Sequence, residues 1–265
     1  EISLDKFWNP AWTAGCQGLL EFRALESLPD HRWTSAVALL FRALAVRLLD
    51  ASLRPVALKP LGPELHDRAL LPSALWLDLE QVLADLKDAG LPLDPEPYRA
   101  IWAWRFPTLL HWQQGDAELC IRQALEPWPL LCDTPVEGGS TSRFVDSSLR
   151  RFELITSPAF RDRYRLRLQG RALPWPSDPE QPLAVRYRQE ALFPCLHPCL
   201  PVHVPLHLEM LESTHSATVA AWILQSESTG FEPLTGSPPP TTNARQAFET
   251  LRGDGEHCST VDLRL

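Results

Sequence analysis

The chain has 265 residues, of which 45% are apolar, and this length and composition allow a packed core and exclude disorder throughout. Its net charge of −8 works against nucleic-acid binding by the chain as a whole. No uncharged apolar run reaches the roughly 18 to 20 residues of a membrane span. The six cysteines have no regular spacing, which favours a reduced, cytoplasmic protein over a disulfide framework.

The first predicted element is a short strand over residues 18–24, where apolar and charged side chains alternate. One face of this strand carries Leu20, Phe22 and Ala24. The opposite face carries Glu21 and Arg23, so an acid and a guanidinium project from the same side.

Three helices are predicted next. The first follows Asp30 as N-cap and repeats apolar residues at three- and four-residue spacing. These residues are Val37, Leu40, Phe41, Leu44 and Leu48. The second helix runs from about Ser73 to a C-terminal Gly90. The third opens after Asp94, which is followed by proline, and must stop before Pro107.

Beyond Gly115, alternation replaces the helical period and predicts a mainly β second half. The predicted strands are 117–125, 143–148, 161–168, 184–188 and 202–211. From Glu227 onward the composition turns to Ser, Thr, Gly and Pro, which predicts a loosely ordered tail. The pattern as a whole predicts an α+β fold.

Glu21, Arg23 and Glu26 are the best candidates for chemistry. A strand carboxylate can hold Mg²⁺ together with phosphate oxygens, and an arginine on the same face can neutralise charge on a transferred phosphoryl group. The structural alternative is that these groups are exposed or paired with neighbouring strands. Glu1, Asp5 and Lys6 lie nearby in the sequence and are predicted to be disordered.

Three further constellations have both a chemical and a structural interpretation. His66-Asp67-Arg68 could transfer protons or bind an anion, and the alternative is a capping and salt-bridge cluster. Cys195, His197, Cys199, His203 and His207 have the ligand types of a zinc site. The intervening prolines impose an extended path, so half-buried sheet histidines are the favoured interpretation.

The third constellation is an alternation of arginines with other residues, at Arg161, Arg163, Arg165 and Arg167. A basic strand face of this kind could meet a phosphate-rich partner. Because few aromatic residues lie on that face, pairing with acids or exposure to solvent is the favoured interpretation.

Several longer motifs resemble the late part of a bacterial amidoligase family of unknown exact role, from residue 1 to about 211. They are EISLDKFW at 1–8, GLLEFRALESLP at 18–29, LHDR at 65–68, QALEPW at 123–128, GGSTSRFVDSS at 138–148 and HPCLPVH at 197–203. The family is grouped with carboxylate–amine ligases of the glutamine-synthetase and glutamate–cysteine-ligase fold. It often follows a transglutaminase-like domain in one polypeptide.

The resemblance implies an enzyme that uses ATP and Mg²⁺ to form an acyl phosphate, which an amine then attacks. Its substrates would be small or peptide carboxylates and amines. Glu21 would bind the metal and contribute to the nucleotide site. Arg23 would contact the nucleotide and stabilise charge, and Glu26 would act with Arg23 in catalysis.

The resemblance also implies a domain organisation. Residues 1–115 would be the C-terminal half of a ligase-like domain, 116–212 a β-rich module and 213–265 the tail. Since Glu1 corresponds to a position well inside the family's domain, part of the acid cluster is expected elsewhere and the chain alone is expected to be inactive. The alternatives are a non-catalytic module that docks a transglutaminase-like or N-terminal ligase segment, and a remnant without activity.

Overall fold

The computed structural model describes residues 2–4, 11, 13, 18–22, 25–49, 60–129, 145–176, 178, 181–192, 199–215, 217–236 and 259–264. The chain divides into two compact units. The first combines Glu1–Arg54 with Leu86–Ile101, and the second combines Pro55–Asp85 with Trp102–Leu265. Helices occur together with antiparallel and mixed sheets, so the α+β prediction is confirmed.

The first unit contains a two-stranded antiparallel ribbon and the helix α1. Strand β1 (Ile2–Leu4) pairs with β2 (Leu20–Phe22), and α1 spans His31–Leu49. The Asp30 carboxylate accepts the backbone N–H of Arg32 at 2.8 Å, which caps the first turn as predicted. The ring of Phe22 lies 4.6 Å from that of Phe41 on α1. Leu20, on the same predicted apolar face, is 52% exposed, and Ala24 lies outside the described residues.

The second and third helices also begin and end close to their predicted limits. Helix α2 spans Pro72–Asp88 and α3 spans Glu96–Arg105. Gly90 has φ of +79°, and the N–H of the following Leu91 bonds the Leu86 carbonyl at 2.8 Å, which closes the end of α2. Asp94 accepts the N–H of Glu96 at 3.0 Å and starts α3.

Ten strands and one short helix build the second unit. In chain order they are β3 (Thr108–Gln114), β4 (Ala117–Ala124), β5 (Leu149–Thr156), α4 (Pro158–Arg163), β6 (Tyr164–Leu168), β7 (Arg171–Ala172), β8 (Leu183–Arg188), β9 (Leu206–Glu212), β10 (Thr218–Leu224), β11 (Glu232–Pro233) and β12 (Thr260–Asp262). One sheet has the order β12-β8-β5-β4-β3 and the other β11-β10-β9-β6-β7. Every pair is antiparallel except β12 with β8, which is parallel.

The two five-stranded sheets share one hydrophobic core. Phe152 and Leu154 of β5 belong to the same buried cluster as Leu208 and Met210 of β9 and Trp222 of β10. These residues alternate along their strands with residues that point away from the core. The second unit is therefore a β-sandwich with a buried apolar core between its two sheets.

Three predicted strands differ from the observed ones. Residues 158–163 form helix α4 because Ser157 accepts the N–H of Phe160 and a proline occupies the first helical position, so strand alternation begins only at Tyr164. The predicted strand 143–148 lies partly outside the described residues, and β5 begins at Leu149. Strand β9 begins at Leu206, directly after Pro205, which has no N–H for a ladder.

The segment 213–265, whose composition predicts loose order, contributes three strands. In β10 the side chains of Trp222 and Leu224 are buried in the sandwich core, and Val261 of β12 is fully buried beside β8. Strand β10 pairs with its neighbour β9, whereas β12 pairs with the distant β8, which local composition does not report. Residues 237–258 of this segment lie outside the described residues.

Candidate functional site

The predicted site residues lie before helix α1. Glu21 occupies the middle of β2, opposite Ser3, and its side chain is half-buried. Glu26 is exposed in the connection between β2 and α1. Arg23, like Glu1, Asp5 and Lys6, lies outside the described residues. The structure therefore places the two acids of the triplet on one short segment, and the shared face of Glu21 and Arg23 stays a prediction.

The fit of this segment to a magnesium nucleotide depends on its oxygen ligands. In the described part of the chain, no three His, Cys, Asp or Glu residues come together as a metal site. Mg²⁺ in nucleotide sites is usually held by one or two carboxylates plus phosphate oxygens and waters. Glu21 suits that role only if a phosphate supplies further ligands.

The candidate zinc ligands are engaged in protein contacts where they are described. Cys195 and His197 lie outside the described residues, and Cys199 is exposed. His203 lies before β9, where its Nδ1 accepts the backbone N–H of Arg188 at 2.8 Å. His207 lies within β9 and contacts Gln169. The two described histidines therefore hold loops and strands in place.

His66-Asp67-Arg68 lies on a short π-helical turn, Leu65–Ala69. The buried carboxylate of Asp67 accepts the N–H of Ser259 at 3.0 Å, and Arg68 forms an ion pair with Glu64 at 2.7 Å. These contacts are those of the capping and salt-bridge interpretation.

The arginine alternation is divided between two elements. Arg165 and Arg167 are exposed on β6, whereas Arg161 and Arg163 belong to helix α4. The Arg161 guanidinium lies 4.9 Å from the centre of the Trp175 ring and donates to the Gln181 carbonyl at 2.9 Å. A continuous basic strand face over 161–168 is therefore wrong.

Charged residues, all but Asp67 not singled out by the sequence analysis, lie buried on the outer face of the β12-β8-β5-β4-β3 sheet. We call this set the polar layer; its central members are Asp67, Asp146, Arg151, Glu153 and Arg188. Alternation on β5 is the signal that could have found them, because Arg151 and Glu153 must face away from Phe152 and Leu154.

Arg151 and Glu153 join the sheet to the chain around α2. The Arg151 guanidinium, almost fully buried, donates to the carbonyls of His66 and Asp67 and to the Thr260 hydroxyl. One oxygen of the fully buried Glu153 accepts the N–H of Ser73 at 3.1 Å and its hydroxyl at 2.7 Å. Burial raises the pKa of Glu153, against the lowering effect of these hydrogen bonds.

A second group in the polar layer surrounds Arg188. The Arg188 guanidinium forms an ion pair with Asp146 at 2.9 Å, and Ser148 bonds both side chains. Burial alone would raise the pKa of Asp146, but hydrogen bonds from Ser148 and Arg188 outweigh it and lower that pKa. Burial and the nearby Arg188 charge lower the pKa of His203. This group joins the connections before β5 and β9 to the end of β8.

A partly open cavity of about 170 Å³ lies at one end of the sandwich. Its polar lining includes Gln123, Arg150, Tyr187, Gln189, Gln225 and Ser228. Burial raises the pKa of Tyr187 to about 12, so its hydroxyl stays protonated at neutral pH. The cavity thus combines a cation with neutral hydrogen-bonding groups.

Comparisons with known proteins give one positive finding. The model of a family described as "Putative amidoligase enzyme (DUF2126)" matches residues 1–228. No curated protein and no solved structure matches the chain. In the described part of the chain, no helix has the length and apolar character needed to cross a bilayer.

Proposed function

Because the chain belongs to this amidoligase family, we propose that it takes part in the ATP-dependent joining of a carboxylate to an amine. The family match over residues 1–228 carries the proposal, since it includes β2, the three long helices and the sandwich as far as β10. Magnesium-bound ATP would supply the phosphoryl group that activates the carboxylate. Small or peptide carboxylates and amines are the proposed substrates.

Glu21 is the proposed metal-side ligand, and Arg23 the proposed group that contacts the nucleotide and stabilises its charge. Half-burial of Glu21 supports its role, because a partly desolvated carboxylate attracts a cation more strongly than an exposed one. Glu26 is exposed and is the proposed second acid, acting with Arg23. One strand carboxylate does not fix an octahedral Mg²⁺, so we expect no turnover from this chain alone.

Titration calorimetry with ATP and MgCl₂ tests this assignment on the wild-type chain, Glu21→Ala and Glu209→Ala. Glu209 is the matched control because it is also a half-buried strand carboxylate, placed on β9. We expect millimolar or tighter binding that Glu21→Ala abolishes and Glu209→Ala leaves unchanged. No binding by the wild-type chain, or equal binding by both variants, would contradict the role of Glu21.

A non-catalytic interaction module is the second candidate function, and the surface of α1 favours it. Of its 19 described residues only Ala43 is buried, while Leu39, Val46, Leu48 and Leu49 are exposed, Leu49 by 75%. Exposed apolar side chains at this density on one helix mark a contact surface. The proposed occupant is another segment of a ligase polypeptide, and a transglutaminase-like domain is the second partner to test.

Co-expression with each of these two partners, followed by size-exclusion chromatography, tests the module. We expect Val46→Glu to weaken the complex with the ligase segment at least tenfold. Leu77→Glu is the matched control, because Leu77 is a similarly exposed apolar residue on α2. A complex that forms only with the transglutaminase-like domain would reject the proposed occupant. A complex that Val46→Glu does not weaken would reject the proposed surface.

A further inference from the structure

The cavity at the end of the sandwich places polar residues where the core positions would otherwise be apolar. Arg150 of β5 and Tyr187 of β8 are direct cross-strand partners on the face that carries Phe152 and Leu154. Gln123 extends the same face on β4. At this end of the sheet the inner face thus changes from hydrocarbon to hydrogen-bonding groups.

The opposite wall of the cavity is a loop that is held against β3. Gln225 and Ser228 lie between β10 and β11, and the N–H of Phe231 bonds the Leu109 carbonyl at 2.7 Å. A Cβ added at Gly230 would lie 2.5 Å from that same carbonyl oxygen, so only glycine allows this approach. The cavity is therefore largely formed before any ligand enters, which lowers the entropic cost of binding.

Arg150 is held in place with donors left over. Its Nη1 donates to the Ser147 carbonyl at 2.6 Å and to the Leu149 carbonyl at 2.9 Å, and its Nη2 contacts Glu190 at 3.4 Å. A guanidinium has five N–H donors, so these three bonds leave two for a ligand. A guanidinium fixed in this way suits a carboxylate, which can accept both.

The charged groups around the cavity determine which net charge a ligand must carry to bind well. Arg151 also contributes to the lining, but its terminal nitrogens donate to His66, Asp67 and Thr260 on the other side of the sheet. Among the described residues that line the cavity, none is acidic. Arg150 is paired with Glu190, but this ion pair is long, at 3.4 Å, and partly exposed, so it neutralises the guanidinium only weakly and the cavity still favours a monoanion. A desolvated ammonium group would find no carboxylate in the lining to pair with.

We propose that this cavity is a binding site for a small monocarboxylate that also carries a primary amide. Its carboxylate lies on Arg150, and its amide pairs with the side-chain amide of Gln123, which offers both donors and an acceptor. A cavity of about 150 Å³ holds benzene, so this one admits roughly six to nine non-hydrogen atoms. The inference does not depend on nucleotide binding at Glu21.

Three probes of one length separate the parts of this proposal. Succinamate has a carboxylate and an amide, succinamide has two amides, and succinate has two carboxylates. We expect calorimetry on the wild-type chain to find succinamate bound at least tenfold more tightly than either of the others. NMR shifts should be concentrated at the backbone amides of residues 149–151, 187–189 and 225–229.

Variants of two arginines locate the binding. Arg150→Gln should weaken succinamate at least tenfold and leave succinamide unchanged, while Arg167→Gln, an exposed arginine on β6, should change neither. If Arg150→Gln lowers the melting temperature, Gln123→Leu is used instead, and it should remove the preference for succinamate over succinate. No succinamate binding at 10 mM, or equal loss in Arg150→Gln and Arg167→Gln, would overturn the site.

A parallel titration with ATP and MgCl₂ separates this inference from the ligase proposal. Succinamate binding without ATP binding would reject only the role of Glu21. ATP binding without succinamate binding would reject only the cavity.

Discussion

On β5, in the middle of the β12-β8-β5-β4-β3 sheet, the two faces are equally buried and chemically opposite. On β5, Phe152 and Leu154 face the sandwich, whereas Arg151 and Glu153 face the polar layer, and all four are 0–1% exposed. On the inner face, any well-packed hydrocarbon side chain stabilises the fold. The outer face needs particular donors and acceptors in particular places, because each charge loses its water when it is buried.

This difference teaches what each face contributes. The free-energy penalty of burying charges offsets much of their mutual attraction. The polar layer therefore stabilises the fold less per residue than the sandwich core does. Its hydrogen bonds, however, form only with donors and acceptors at particular positions, and residues 66–73 and 259–260 supply them. The inner face therefore stabilises the sheet, and the outer face determines which segments cover it.

The largest expected effect is on the inner face. Phe152→Ala should lower the free energy of unfolding by about 3–5 kcal/mol, because it removes a fully buried ring and leaves a cavity. Urea denaturation followed by tryptophan fluorescence measures this. A loss below about 1 kcal/mol would show that the core repacks, which would weaken the contrast between the faces.

Arg151→Met should cost about 2–4 kcal/mol, because two carbonyls and a hydroxyl lose their charged donor while the volume is kept. Hydrogen exchange distinguishes it from Phe152→Ala. Faster exchange should be confined to residues 65–69 and 260–262, whereas loss of the ring should accelerate exchange across the sandwich. Uniform acceleration in both variants would mean that the outer face has no separate role.

Glu153→Gln should change how stability depends on pH. The folded-state pKa of Glu153 is raised above its ordinary 4.5, so the folded protein holds a proton that the unfolded chain has released. Wild-type stability from this group therefore falls as pH rises above about 4.5, and Gln, which stays neutral, should flatten that fall by about 1.4 kcal/mol per unit of pKa elevation. Parallel stability curves from pH 4 to pH 8 would contradict this.

The smallest expected effect concerns His203, at the margin of the polar layer. Its pKa lies below the ordinary 6.5, so the unfolded chain binds a proton more readily than the folded protein does. Stability should fall as pH drops below about 6.5, and His203→Gln should reduce this acid loss. An acid limb of the stability curve that His203→Gln leaves unchanged would contradict this.

Local signals were sufficient for the three long helices. The capping residues Asp30, Gly90 and Asp94 act on backbone groups within a few residues, so the neighbouring sequence is enough to predict their effect. The alternation at 117–125 and 184–188 likewise predicts β4 and β8, which differ from those limits by one residue.

The rest of the architecture depends on partners far away in the chain. Strand β5 was not predicted, because its charged residues Arg151 and Glu153 are as buried as its apolar ones, so polarity does not mark an exposed side of the strand. Its arginines resemble surface residues until residues 66–67 and 260 are known to cover them. The cavity around Arg150 was missed for the same reason, since its walls come from β4, β5, β8 and the loop after β10.

The parallel pairing of β12 with β8 has a consequence for biosynthesis. Strand β12 follows β8 in the chain only after a long intervening segment, so β8 stays an open edge from its own synthesis until residues 260–262 emerge. Open edges attract other chains, and they do so most while a nascent polypeptide is incomplete. A chaperone that shields β8 until residues 259–262 emerge would therefore raise the yield of this protein more than one acting on its helices.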